Sequence, residues 1–421
     1  MKKVLIIARY FGTRIPGLIK YLPEYKWQPL LLTTDPITRE LPPDLPCWNT
    51  PYQDLLRFWR RIFGLNPYED FRTQIRNKFG VASKGSALDP VLTFVSEVIN
   101  YPDADKGWRH PGIKLGMELL QRENISAIIS SSSPVSGHII ARELSGRSQI
   151  PWVADLRDLW SQNHNYTYSR FRKILDRRLE IKTLGPASAL VTASQPWADR
   201  LSELHRGKTT CAITNGFDPA DVKGPAPGLT TKFTITHTGN IYEGKQDPTR
   251  LFAALRRLIS EGTIDPGNIE VRFYGPALVW LDKEVRKYGL SGAVKQHGTV
   301  PHDVAIEKQR ESQLLLLLDW DAPGENGVYP LKVFEYLGSM RPILATGGTT
   351  GNVVDVLLRK TGTGVHAPEA EAIINAIARL YREYRQDGRV TFRGAAGEIN
   401  RYSQREMTGQ FATILDRLSG K

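Results

Sequence analysis

Short, near-continuous apolar runs recur along this chain, separated by longer helical-looking segments. In the first half the runs fall at 4–8, 30–33, 127–130, 152–154 and 190–192; in the second they fall at 234–237, 270–274, 314–318 and 343–345. Continuous rather than alternating apolar character marks strands buried on both faces, as in parallel sheets. Regular strand–helix alternation builds doubly wound βαβ units. Residues 217–228 hold three prolines and two glycines, the composition of an interdomain linker. The pattern therefore predicts an α/β chain of two Rossmann-like, doubly wound domains, at 1–216 and 229–399, with a C-terminal helix at about 400–421 packing back on the first. Open parallel sheets bind ligands outside the carboxyl ends of their strands. Two such domains are expected to face each other across a cleft, so the residues just after each strand are the ones to test for chemistry.

Composition narrows this picture without changing it. The 421 residues exceed what one hydrophobic core usually serves, and the 41% apolar and 24% charged content is that of a globular chain. Only two cysteines occur, Cys47 and Cys211, with no metal-ligand spacing around them, so a disulfide framework and a zinc site are excluded and a reducing compartment is expected. The N-terminus begins like a signal peptide, yet its apolar run breaks at Arg9 and no small-residue cleavage site follows; it reads as a first buried strand. The longest later apolar run, 314–318, is too short to span a bilayer. The formal charge is +12, with about +9 of it before residue 220, which points to a polyanionic partner: nucleic acid, an anionic membrane surface or an acidic substrate.

Four constellations follow predicted strands. Gly12, between Arg9 and Arg14, allows close backbone approach to a ligand ahead of a helix N-terminus, although no complete phosphate fingerprint is present. Asp155, Arg157 and Asp158 emerge directly from an apolar strand; the two carboxylates can orient or deprotonate an acceptor hydroxyl, or Arg157 and Asp158 can simply pair and cap the next helix. Gly239, Gly244 and Lys245 nearly match the Walker A pattern, and 314–318 followed by Asp319 mimics a Walker B strand. The match fails at Gln246, where a magnesium-binding Ser or Thr belongs, while Lys245 remains a diphosphate-binding cation on either reading. Finally, a helix beginning near Pro330 sets Glu335 on an otherwise apolar surface. There it can take two hydrogen bonds from a ribose diol, or an i−3 pair from Lys332.

Pro330-x-Lys332-x-x-Glu335-Tyr336-Leu337, followed by Arg341-Pro342-Ile343, resembles the donor-site motif of glycosyltransferase family 4, in its bacterial surface-polysaccharide branch. Pro102-Asp103 with Gly107-Trp108, Ser132-Ser133-Pro134 with His138, and Asp155-x-Arg157-Asp158-x-Trp160 are similar to further motifs of those transferases, in the same order. The resemblance implies the GT-B fold, a nucleotide-sugar donor (a UDP-sugar favoured) held by the second domain, a saccharide or lipid-linked acceptor at the first, retention of configuration and no divalent metal or other cofactor. It implies that Glu335 binds the ribose, Lys245 the diphosphate, with Gly12 near the phosphates and Asp155 or Asp158 on the acceptor side. Gly239 belongs to the same donor loop. Two positions depart from the family pattern. Asn240 stands where a donor-site arginine is usual, a charge that Lys332 or Arg14 can restore; Gly327 replaces the first Glu of a paired-glutamate motif, with Glu325, Asn326 and the backbone N–H groups of 326–329 close by.

Residues 54–65 combine Arg57, Arg60 and Arg61 with Trp59 and aliphatic anchors, the composition of an interfacial helix suited to an anionic membrane surface. No nucleic-acid-binding motif accompanies these arginines, so nucleic acid is not expected as a partner. The expectation is a cytoplasmic glycosyltransferase, peripheral on the inner face of the membrane, in surface polysaccharide or glycoconjugate synthesis. Its rivals are a GT-B nucleotide-sugar epimerase or phosphorylase and a non-catalytic sugar-nucleotide-binding subunit.

Overall fold

The computed structural model describes residues 1–35, 41–51, 64, 97–166, 168–225, 227–322 and 324–420. They divide into two compact units, Met1–Ile213 with Thr408–Lys421, and Thr214–Met407. Among the described residues each unit is built on one parallel sheet.

The first sheet contains β1 (Lys2–Ile7), β2 (Trp27–Thr34), β3 (Cys47–Thr50), β4 (Ile125–Ser132), β5 (Trp152–Leu156), β6 (Ala189–Thr192) and β7 (Thr210–Ala212). Their order is β3-β2-β1-β4-β5-β6-β7, with every pairing parallel. The apolar run of β1 explains its central place: Val4 to Ile7 have no exposed surface, which only a strand covered on both faces achieves. The C-terminal helix Gln404–Leu418 belongs to this unit from Thr408 onward. Phe411 and Leu415 are fully buried, and Asp416 accepts a hydrogen bond from Trp27 Nε1 at 3.2 Å. Cys47 and Cys211, both half-buried, are unpaired.

The second sheet contains β8 (Phe233–Thr238), β9 (Ile269–Tyr274), β10 (Val294–Gly298), β11 (Leu314–Leu318), β12 (Ile343–Thr346) and β13 (Gly364–Ala367), in the order β10-β9-β8-β11-β12-β13. The five leucines of β11 supply both of its faces. Leu314, Leu316 and Leu318 enter a core with Phe252, Leu255 and Ile377, while Leu315 and Leu317 enter another with Phe334, Leu337 and Leu358. At about 1.5–3 kcal/mol for each fully buried leucine, this strand is a main source of the unit's stability. Phe217, first residue of the 217–228 segment, packs in the second of these cores; a Cβ on Gly338 would come within 2.8 Å of its ring.

In both sheets the strand order reverses once, between β1 and β4 and between β8 and β11. Loops leaving neighbouring strands in opposite directions open a crevice at that point, so the carboxyl ends of these two pairs are where each unit can take a ligand.

Candidate functional site

At the switch point of the second unit, β8 ends in Thr238 and turns at Gly239, whose φ of +115° is open to glycine but strained for side chains. The turn is held by Gly239 N–H donating to the Tyr274 carbonyl at 2.7 Å. The helix Lys332–Ser339 brings its first turn against it: a Cβ on Gly239 would lie 2.6 Å from Lys332 Cε. Lys332 Nζ in turn lies 3.0 and 2.9 Å from the two oxygens of Glu335. Three of the predicted residues, Gly239, Lys332 and Glu335, are thus in one place. The i, i+3 pair that the spacing allowed is formed, with side chains 30% and 17% exposed.

Glu335 is positioned from behind as well. Gln309 Nε2 donates to Glu335 Oε2 at 3.3 Å and to Thr238 Oγ1 at 2.8 Å, while Ser339 Oγ donates to Gln309 Oε1 at 2.6 Å. Tyr336, whose phenol burial pushes its pKa up, accepts a hydrogen bond from Thr238 N–H at 2.9 Å. This network ties the helix to the end of β8. Gln309 carries no motif around it, and sequence reasoning missed it; its place depends on a helix, His302–Arg310, that reaches the site only through the fold. His237, next to the turn, is held neutral at pH 7 because burial lowers its pKa to about 4, so it is not poised as a cationic phosphate ligand.

Lys245 stands on the same loop, half-buried, with Nζ 6.0 Å from the centre of the Trp320 ring. Asn240 is exposed on this loop. Gln246 is buried and fully used: its amide donates to the Leu318 carbonyl at 2.8 Å and accepts from Tyr242 N–H at 3.1 Å. Asp319, the Walker B mimic, is equally committed. Its oxygens accept from Trp320 N–H and Asn352 Nδ2, both at 2.7 Å, and His366 Nε2 lies at 3.2 Å. Neither residue has the open coordination that a P-loop magnesium requires. Asn326 is exposed and Gly327 buried, and the Gly327 N–H donates to the Glu325 carboxylate at 2.8 Å. The position that lacks a glutamate side chain therefore has one resting on its backbone.

The motif residues of the first unit converge on its own switch point and are cross-linked there. Asp105 lies 2.8 Å from Arg9 Nε and accepts from the Tyr10 hydroxyl at 3.2 Å. Asp103, its carboxyl pushed up to about 6 by burial, accepts from Ser136 N–H and Oγ at 2.7 and 2.8 Å, at the start of helix Ser136–Ser148. Arg157 donates to the Ser132 and Ser133 carbonyls at 2.6 and 3.1 Å, and a Cβ on Gly12 would meet its guanidinium at 2.9 Å. His138 meets Ser130 Oγ at 2.7 Å; burial, helped by Arg157, lowers its pKa to about 3 and keeps it neutral.

Two predicted contacts are corrected by burial. Asp155 and Arg14 have side chains with no exposed surface, so neither presents an atom to a ligand. Asp155 accepts from Ser131 Oγ at 2.7 Å and lies 3.4 Å from Arg14 Nε, and Arg14 also donates to the Ile213 carbonyl at 2.6 Å. A carboxylate within an apolar strand and a guanidinium at the start of a helix are each costly to bury alone, and here they neutralise one another. Asp158, by contrast, is exposed. The predicted membrane-contact residues Arg57, Trp59, Arg60 and Arg61 lie outside the described residues.

No family model matches the sequence, and no curated protein matches it. Solved structures similar to the chain include a glycosyltransferase from Rickettsia africae, with a TM-score of 0.61 and 12% identity, covering 100% of this chain and 99% of that one. An α,α-trehalose-phosphate synthase (UDP-forming) from Burkholderia vietnamiensis has a TM-score of 0.60 and 11% identity, covering 99% and 100%. A putative UDP-N-acetylglucosamine 2-epimerase from Listeria monocytogenes has a TM-score of 0.54 and 14% identity, covering 100% and 98%. At such identities the likeness is one of fold: two Rossmann-like units matched along essentially the whole chain.

Proposed function

We propose that the protein is a glycosyltransferase whose second unit binds a nucleotide-sugar donor, with a UDP-sugar favoured, and whose first unit binds a saccharide or lipid-linked acceptor. The observation that carries this reading is the Lys332–Glu335 pair over Gly239 at the β8/β11 switch point. An i, i+3 pair of this exposure contributes only a few tenths of a kcal/mol. Hydrogen bonds to a charged partner contribute about 1.5–3 kcal/mol, so an arriving ligand outcompetes the internal pair. Glu335 then takes the ribose diol, and Lys332 turns to the diphosphate together with Lys245. Asn240 leaves the loop one cation short of the family pattern, and Lys332 supplies it. Glu325, resting on Gly327, stands in for the missing carboxylate at the donor sugar.

In this reading the two lysines neutralise the leaving diphosphate, so transfer proceeds without a divalent metal, and retention of configuration is what the resemblance to family 4 implies. Asp158 is the exposed carboxylate of the first unit's motif and lines the acceptor side. Asp155 acts through others as a positioning residue, holding Arg14 and Ser131. The setting is surface polysaccharide or glycoconjugate synthesis. The epimerase among the similar structures shares the fold, and acceptor-free turnover of the donor would identify that chemistry instead.

Thermal-shift titration with UDP-, GDP- and dTDP-sugars tests the donor, because a ligand of the native state raises its stability. A UDP-sugar should raise Tm, and Glu335→Gln should weaken that donor by about ten- to a hundredfold while melting like the parent protein. Transfer should persist in EDTA and fall sharply in Lys245→Ala. Unchanged donor affinity in a folded Glu335→Gln protein would sink the site assignment.

A further inference from the structure

Helix Arg170–Leu184 of the first unit separates its charges by sign. Its two acidic residues point inward and are spent there. Asp176 accepts from Arg172 Nε at 3.0 Å and from the Tyr166 hydroxyl at 2.6 Å, and Glu180 accepts from Ser161 N–H at 3.0 Å. The outward half carries Arg170, Lys173, Arg177, Arg178 and Lys182, all exposed. None of these five forms an ion pair with any described residue, and no acidic side chain of the helix shares their face.

Between them lies an apolar stripe. Phe171 is 63% exposed, Ile174 52% and Ile181 44%. At 3.6 residues per turn, Ile174 and Ile181 fall almost on one line, Phe171 lies to one side of it, and the five cations occupy the same outward half of the circumference. An ordinary surface helix keeps its apolar stripe for the core. Here the buried face carries Arg172, Asp176, Glu180, Thr183 and Leu184, and the apolar stripe faces outward.

We infer that this face docks on an anionic lipid bilayer, with Phe171, Ile174 and Ile181 entering the headgroup–acyl boundary and the cations meeting lipid phosphates. Arginine and lysine stems are long enough to lie along the apolar layer while their charges stay at headgroup level. A nucleic acid would engage the cations and leave the two isoleucines in water. A second copy of the same face would set five uncompensated cations against five more. The bilayer alone uses both features of the surface. The docking face is independent of the sugar-transfer reading, since it lies on a different unit from the donor loop and its binding is measured without donor or acceptor.

Full-length protein is sedimented with phosphatidylcholine vesicles and with vesicles containing phosphatidylglycerol. Binding is expected only to the anionic vesicles, weakening as salt rises. The triple variant Arg177→Ser, Arg178→Ser, Lys182→Ser should lower partitioning on the order of a hundredfold. The variant Phe171→Ser, Ile174→Ser, Ile181→Ser should also lose it, with both variants melting close to the parent temperature because the replaced side chains are exposed. As a direct reporter, the indole emission added by Phe171→Trp should shift to the blue on adding anionic vesicles. Failure of the parent protein to bind, or an unshifted emission in the Phe171→Trp variant, overturns the inference. So does retained binding in the apolar variant, which would mean generic anion contact. Binding lost only in Arg57→Ser, Arg60→Ser, Arg61→Ser would move the docking element to 54–65 and equally overturn it.

Discussion

Gly239 shows how much a single residue contributes to the proposed donor site. Its φ of +115° disfavours any side chain, and a Cβ would press on Lys332 at 2.6 Å. Gly244, with φ of +75°, has no neighbour within 4 Å of its added Cβ. Gly239→Ala and Gly244→Ala should therefore each cost about 1 kcal/mol or more in backbone strain, read as a lowered Tm. Only Gly239→Ala should also weaken UDP binding by calorimetry, by displacing Lys332. If both variants bind UDP alike, Lys332 does not contact the donor. His302 offers a second check at this scale. Its Nε2 lies 3.1 Å from Asp221, and that hydrogen bond raises its pKa above the ordinary histidine value. A raised folded pKa means stabilisation that is full below pH about 6.5 and lost as pH rises through the raised value. An NMR titration should find His302 above the ordinary value, and Asp221→Asn should return it there.

Elements are held in register by side chains from their neighbours. Arg157, just past the end of β5, grips two carbonyls at the end of β4, and burial lowers its own pKa. Arg157→Ala should destabilise the first unit by about 1.5–3 kcal/mol in urea unfolding, the range for hydrogen bonds to a charged group. Arg157→Lys should rescue little of it, since an ammonium lacks the planar fork that spans two acceptors. Strands were unequally legible. Every apolar run singled out from the sequence marks a strand, whereas β3, β7, β10 and β13 gave no such signal. Those four are the edges of the two sheets. An edge strand has one neighbour and partial burial, as in the Val-Lys-Gln-His-Gly of β10, so its composition is not forced to be continuously apolar.

At the scale of the molecule, the chain leaves its first unit and returns to it. The last turns of helix Gln404–Leu418 bury Phe411 and Leu415 completely and give Arg14 an aromatic face at 5.4 Å. A chain stopped after Met407 loses these contacts, each large apolar side chain being worth about 1.5–3 kcal/mol. It should unfold in the first unit at markedly lower temperature while the UDP-induced rise in the second unit's melting survives. Loss of both transitions together would mean that the units do not unfold separately.

Apolar runs alone determined that the chain is parallel α/β, because burial on both faces leaves no alternative to aliphatic side chains. The grouping of Gly239, Lys245, Lys332 and Glu335 came from the resemblance to the family 4 donor motif, and of these the fold brings Gly239, Lys332 and Glu335 together. Tertiary structure decided what those charges touch. Asp155 and Arg14 look like ligand contacts in sequence and are sealed against each other in the fold, while Gln309, invisible in sequence, reaches Glu335 from another helix. The outward stripe of helix Arg170–Leu184 was hidden for the same reason. Periodicity marks which residues share a helix face, and only packing decides which face meets the core.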